Sequence, residues 1–171
     1  MPPEATNEMD FLNLPLTRTG WDIAEGNYAG VLAAFGKPFE LKDNFAKEGD
    51  PDKKVVFEAV FVILTKDGAQ TVDYLLPLPQ GGMANRKSNV YKMLKSLRGA
   101  DPKFFQPDGN FSKDVTLTGF IGSPAMVQVK KNAKDFPAVE AVASPVEGVK
   151  LPAAKDISAA LNARSASSND K

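Results

Sequence analysis

The pattern of apolar and polar positions is clearest over residues 54–78. Residues 54–65 are dense in β-branched and aromatic side chains and apolar at nearly every position, as expected of a strand covered on both faces. Lys66-Asp67-Gly68 supplies a tight Asp-Gly turn, and residues 71–78 return as the second arm of a hairpin. Upstream, residues 26–35 alternate only roughly. Gly26, Ala29 and Gly30 leave room there for the bending that a closed sheet requires. The polar stretch 36–54 holds Gly49, Asp50, Pro51 and Asp52 as turn formers, and it is long for a hairpin connection, which marks it as a functional loop.

After the hairpin the period changes. Val90, Met93, Leu94 and Leu97 stand at helical spacing on one stripe; Ser88 or Asn89 suits the N-cap, Arg98 the last turn and Gly99 the position beyond it. Residues 115–122 and 125–130 then carry an extended run. A polar turn at 131–135 leads into residues 136–142, which completes a second hairpin. Phe57, Phe61 and Phe120 read as core; Phe104-Phe105 reads two ways, as exposed aromatics or as a staple holding a loop to the core, and Trp21 as a cover over the barrel mouth in preference to a base-stacking ring.

The two ends are different. Residues 1–20 are polar and broken by Pro2, Pro3 and Pro15, an arm whose apolar patch Phe11-Leu12-Asn13-Leu14 can dock on the body. Residues 151–171 predict a short helix over 155–163, with Ile157 and Leu161 on one face, followed by a flexible Ser-rich tail. The folded domain is therefore expected over residues 21–150. Its elements run strand, long loop, strand, tight turn, strand, helix, strand, turn, strand. That is the order of a mainly β, five-stranded Greek-key barrel of the OB-fold kind, with one helix between strands three and four and flexible termini. Closure is preferred over an open α+β sandwich because it removes edges that so hydrophobic a chain would expose.

Composition narrows the chemistry. The chain has neither cysteine nor histidine, which excludes disulfides, zinc fingers, thiol nucleophiles, a Ser-His-Asp triad and an imidazole base. Gly81-Gly82 is not followed by Gly-Lys-Ser/Thr, so there is no P-loop. Glu48, Asp50 and Asp52 read as turn formers rather than cation ligands. The reading is therefore non-enzymatic, without cofactor or metal. No apolar run reaches the length of a membrane span, and the acidic start lacks the features of a signal peptide, which together point to the cytoplasm.

The 21 Lys/Arg and 21 Asp/Glu cancel overall, yet their distribution is skewed: residues 1–85 carry 7 basic and 13 acidic side chains, residues 86–134 carry 10 and 3. Positive charge concentrated in one third of the chain is either a solvated face or a surface for a polyanion.

The segment Ala24-Glu25-Gly26-Asn27-Tyr28-Ala29-Gly30, the 55–78 hairpin, the short basic helix and the closing Gly122…Val127-Gln128-Val129-Lys130 together resemble small phage-encoded single-stranded DNA-binding proteins, over about residues 22–145. The resemblance implies an OB-fold beta barrel and a role in phage DNA replication or recombination, in the cytoplasm of the host. Single-stranded DNA is then the expected partner, with replication or recombination proteins and further copies of the chain as candidates. Binding without sequence preference needs cations along phosphates and aromatics for base stacking. OB-folds bind across strands two and three, between the first hairpin loop and the last. That geometry favours Lys37, Phe39, Lys42, Phe45, Tyr74, Lys130, Lys131, Lys134 and Phe136, with Arg86 and Lys87 added from the loop before the helix. The alternative is a structural or protein-interaction module, a virion component or host-factor binder. The neutral net charge and the apolar arm fit it.

Overall fold

The computed structural model describes residues 23–42, 53–66, 68–79, 82–131, 137–145 and 148–169, with side chains excepted at 41–42, 53–54 and 163–169. The N-terminal arm with Phe11 and Leu14, Trp21, Phe45, Lys134 and Phe136 lie outside these residues. Among the described residues the chain is mainly β, with one antiparallel sheet of six strands and two α-helices.

The expected first hairpin is strands β3 (Lys53–Thr65) and β4 (Gly68–Pro77), in continuous register from Val56↔Pro77 to Thr65↔Gly68. Gly68 has φ 105°, a left-handed conformation that glycine adopts without steric cost. Phe57, Ala59, Phe61 and Ile63 point into the main core, while Val62 points the other way into a second, smaller cluster. This is why the strand is apolar on both sides of its alternation.

Strand β1 (Gly26–Phe35) serves two neighbours. Its first half pairs with β5 (Pro124–Lys131) and its second half with β3, and a bulge separates Leu32 from Ala34. The change of partner occurs at Gly30, whose missing side chain lets the Val62 carbonyl and Ile63 approach closely. Strand β2 (Phe39–Lys42) follows after a three-residue break and also pairs with β3. Strand β6 (Pro137–Ala143) completes the second hairpin against β5.

The sheet order is β4–β3–β1–β5–β6, with β2 beside the start of β3. Since every neighbouring pair is antiparallel, the outermost strands β4 and β6 run in the same direction. They approach each other without forming a ladder, so the sheet is not closed into a barrel. Such a closing pair would be parallel, with slanted and slightly weaker hydrogen bonds. Helix α1 (Asn89–Arg98) packs against both β4 and β6 where they approach, burying Val90, Met93, Leu94 and Leu97 as its spacing predicts. Ser88 caps it by accepting from the Tyr91 amide at 3.0 Å, and Gly99 donates to Lys95 at 2.8 Å.

Three expectations are corrected. The expected five-stranded closed barrel is, among the described residues, a sheet of six strands left open between β4 and β6; the sixth strand is β2, inside the expected long loop. Its Phe-Glu-Leu-Lys alternation is too short to stand out. Residues 115–122 do not extend a strand; they turn through a 3₁₀ segment, Thr118–Phe120, in which Thr116 Oγ1 accepts from Gly119 N at 3.2 Å. Beside the one helix expected within the domain, the C-terminal helix α2 (Ala154–Asn169) is longer than its apolar spacing implies and runs on into the Ser-rich segment expected to be a tail. Its Ile157, Ala160 and Leu161 pack on Val31, Ala33, Val62 and Ala69, on the face of the sheet opposite the main core.

Phe57, Phe61 and Phe120 are fully buried, as expected of core. Phe104 and Phe105 staple their loop: Phe104 lies 4.7 Å from Phe120 between ring centroids, and Phe105 lies 4.8 Å from Phe111.

Candidate nucleic-acid interface

The densest positive charge lies on and around α1, which carries no acidic residue in its first turn and both Lys95 and Arg98 in its last. Residues 101–114 form a strap across this helix. Tyr91 donates to the Gly109 carbonyl at 2.5 Å, and Gly109, at φ 89°, is packed so tightly that a β-carbon would meet Arg86 and the Tyr91 hydroxyl at 3.2 Å. Three cations then lie over rings: Arg86 at 5.8 Å from Tyr91, Lys95 at 4.8 Å from Phe105 and Arg98 at 5.1 Å from Phe104. A ring face orients a cation without cancelling its charge. Arg86 also donates to the Asp108 carbonyl at 2.9 Å and to Asn110 Oδ1 at 2.8 Å. Arg98 donates to Ser123 Oγ at 2.9 Å and approaches Asp101 at 4.0 Å. Lys87, Lys92, Lys103 and Lys113 are exposed around them.

The residues expected to bind nucleic acid fall at two ends of the sheet. Lys37 is exposed in the break between β1 and β2, and Phe39 is half-buried in β2. The cross-strand row Phe39–Val56–Pro77 carries this end across to β4, and Lys87 lines a cavity with Pro77 and Pro79. Lys42 ends β2, with its side chain outside the described set. Lys130 and Lys131 are exposed at the other end, where β5 passes the start of β1. There Lys130 Nζ lies 3.4 Å from Glu140, and the Lys131 amide donates to Glu25 Oε2 at 3.1 Å. The two groups are separated by the 10 residues of β1, roughly 30 Å at about 3.3 Å per residue. Tyr74 stands apart from both: it alternates with Val72 and Leu76 on the core side of β4, and half-burial pushes its phenol pKa up through desolvation.

The middle of the β3–β4 surface differs from the expected basic trough. On the side away from the main core, alternation places Val56, Glu58, Val60 and Val62 of β3 beside Thr71, Asp73 and Leu75 of β4. Glu58 and Asp73 are only 3% and 5% exposed, and α2 covers the part of this face around Val62. None of these positions is basic. Cations flank the central strands rather than lining them.

Several groups at this surface escaped the sequence reading. Lys103 and Lys113 carry no signal of their own in the sequence, because the segment 101–114 that holds them is fastened to α1 only by the fold, through Tyr91 and Gly109. The cavity beside Lys87, about 280 Å³ and open to solvent, is lined by Pro77, Pro79, Asn85, Lys87, Ser88 and Asn89. Its only signal in the sequence was the Pro-Leu-Pro that ends the hairpin. Among the described residues no cluster of three acidic side chains is placed to hold a metal ion, and no helix is long and apolar enough to cross a membrane. No protein-family model, curated protein or solved structure matches the chain.

Proposed function

We propose that this protein binds single-stranded DNA without sequence preference and without catalysis, as an OB-like domain serving phage DNA replication or recombination. The observation that carries the reading is the strand order β4–β3–β1–β5–β6 with α1 packed where β4 and β6 approach. It supports an OB-like path, in which the chain leaves the third barrel strand through a helix and returns to pair with the first, a scaffold suited to oligonucleotides. The exposed cations at both ends of β1, and the ring-oriented cations of α1, supply phosphate neutralisation over a span long enough for several nucleotides.

The test is the affinity for a labelled oligo-dT at a series of salt concentrations. With about four phosphates neutralised, log K falls against log salt with a slope near −3. Replacing Lys130 and Lys131 by Glu makes the slope shallower. A response flat in salt overturns the reading in favour of a protein-interaction module. Single- and double-stranded competitors in the same assay decide the strand preference.

A further inference from the structure

We propose that the open cavity at the end of β4 seats one unstacked base of the bound strand, with its phosphate held by Lys87; this rests on the single-strand reading and names a subsite within it. Two observations coincide there. The first is the cavity of about 280 Å³ lined by Pro77, Pro79, Asn85, Lys87, Ser88 and Asn89. The second is that the two large hydrophobic side chains left exposed among the described residues, Val55 (41%) and Leu78 (37%), are neighbours at this same end of the hairpin. Leu78, between the two cavity prolines, donates its amide to the Val55 carbonyl at 2.9 Å. Single exposed apolar residues are ordinary. Neither lines the cavity, and alternation along the strand sets Leu78 on the face opposite Pro77, so the pair marks this end of the hairpin as uncovered surface beside the cavity's own lining.

The chemistry fits a nucleotide. Pockets for drug-sized molecules run from about 300 to 1,000 Å³, so this cavity suits a single base rather than a longer stretch of strand. The pyrrolidine rings of Pro77 and Pro79 offer rigid aliphatic walls whose backbone φ is fixed before binding. Residues 83–88 beside the cavity are also pre-set. Met83 is fully buried in the core, Asn85 Oδ1 accepts from the Lys87 amide at 3.1 Å, and Ser88 Oγ donates to the Asn85 carbonyl at 2.7 Å. Lys87 and Asn89 keep exposed side chains at the rim, one a cation for phosphate and the other an amide able to meet a base edge. Glu40 lies opposite Val55 on β2, so a phosphate is disfavoured on that flank and directed to the Lys87 side.

The experiment compares, for the full chain, affinity for a short oligo-dT and for an abasic deoxyribose-phosphate oligomer of equal length. The wild type is expected to bind oligo-dT on the order of tenfold more tightly than the abasic oligomer. Asn89→Ala and Pro77→Ser, both at lining residues, are expected to bring the oligo-dT affinity down to the abasic level. Lys87→Gln is expected to weaken both by a similar factor. Because these side chains are exposed, unchanged unfolding midpoints establish that the variants remain folded. Amide chemical-shift changes confined to residues 77–79 and 85–89 on adding oligo-dT, and missing with the abasic oligomer, support the assignment. Equal wild-type affinity for the two oligomers, or a preference that survives both substitutions, overturns the subsite while leaving the single-strand reading in place. Binding of neither oligomer overturns both.

Discussion

Gly30→Ala tests whether β1 crosses between its two partners as the structure shows. A β-carbon at Gly30 would lie 2.5 Å from the Val62 carbonyl oxygen, 2.8 Å from Ile63 Cγ2 and 3.2 Å from Ile63 Cα. The closest of these is backbone in the most buried strand of the sheet, so no rotamer change relieves it. Gly30 is also registered to Ala125 on β5, and moving β1 away from β3 would press it onto that neighbour. Overpacking of this kind costs about 1–3 kcal/mol, and a backbone clash held from both sides belongs at the upper end. Against it, alanine recovers roughly 0.5–1 kcal/mol by restricting the unfolded chain. The net expectation is a loss of about 2 kcal/mol. Urea unfolding followed by circular dichroism should show the midpoint falling by about 1 M at an unchanged slope, taking a slope near 2 kcal/mol/M. Gly36→Ala is the matched control. Its β-carbon would meet nothing nearer than Glu58 at 3.9 Å, so stability should be equal or slightly higher. A Gly30→Ala protein as stable as the wild type would refute the close crossing of β1 over β3.

Tyr91→Phe removes the hydroxyl that satisfies the Gly109 carbonyl and should cost about 1–2 kcal/mol in the same assay, together with faster proteolysis within residues 101–114; an unchanged cleavage rate would count against the strap. Tyr74 provides a pH signature. Its folded pKa is raised above the ordinary 10.0 by desolvation, so above pH 10 the unfolded chain loses this proton first and stability drains away until the folded phenol also ionises. The stability advantage of wild type over Tyr74→Phe should therefore shrink between pH 9 and pH 11, and a constant difference would contradict the burial of that ring. Ala160→Leu forces a larger side chain onto Val31, Ala33 and Val62 and should detach α2 at a cost of about 1–3 kcal/mol, read as new tryptic cleavage at Lys150 and Lys155. Resistance equal to wild type would show that α2 does not depend on this contact.

Local pattern alone is enough to place the β3–β4 hairpin, α1 with Ser88 as one of two cap candidates, and the second hairpin, because each is specified by neighbours within a few residues. It also placed Phe57, Phe61 and Phe120 in the core. Other features depended on contacts between distant segments. Phe39-Glu40-Leu41-Lys42 becomes a strand only because β3 continues beyond β1 and offers it an edge. Residues 115–122 are β-branched and apolar, yet they turn because Leu117 and Phe120 are drawn into a cluster built on Phe104, Phe105 and Phe111.

The candidate site divides in the same way. The skew of charge toward residues 86–134, and the lack of any histidine or cysteine, belong to the chain whatever its conformation. Where those cations stand does not. Arg86 lies over Tyr91 because Asp108 and Asn110, more than twenty positions away, hold its guanidinium. Lys37 and Lys130 stand at opposite ends because β1 runs between them. Glu58 and Asp73 are removed from solvent on a face that the sequence alone left open to a ligand. Periodicity decides which side chains must be buried, whereas the register of distant strands and the helices laid on them decides what buries each one and which charges remain in water.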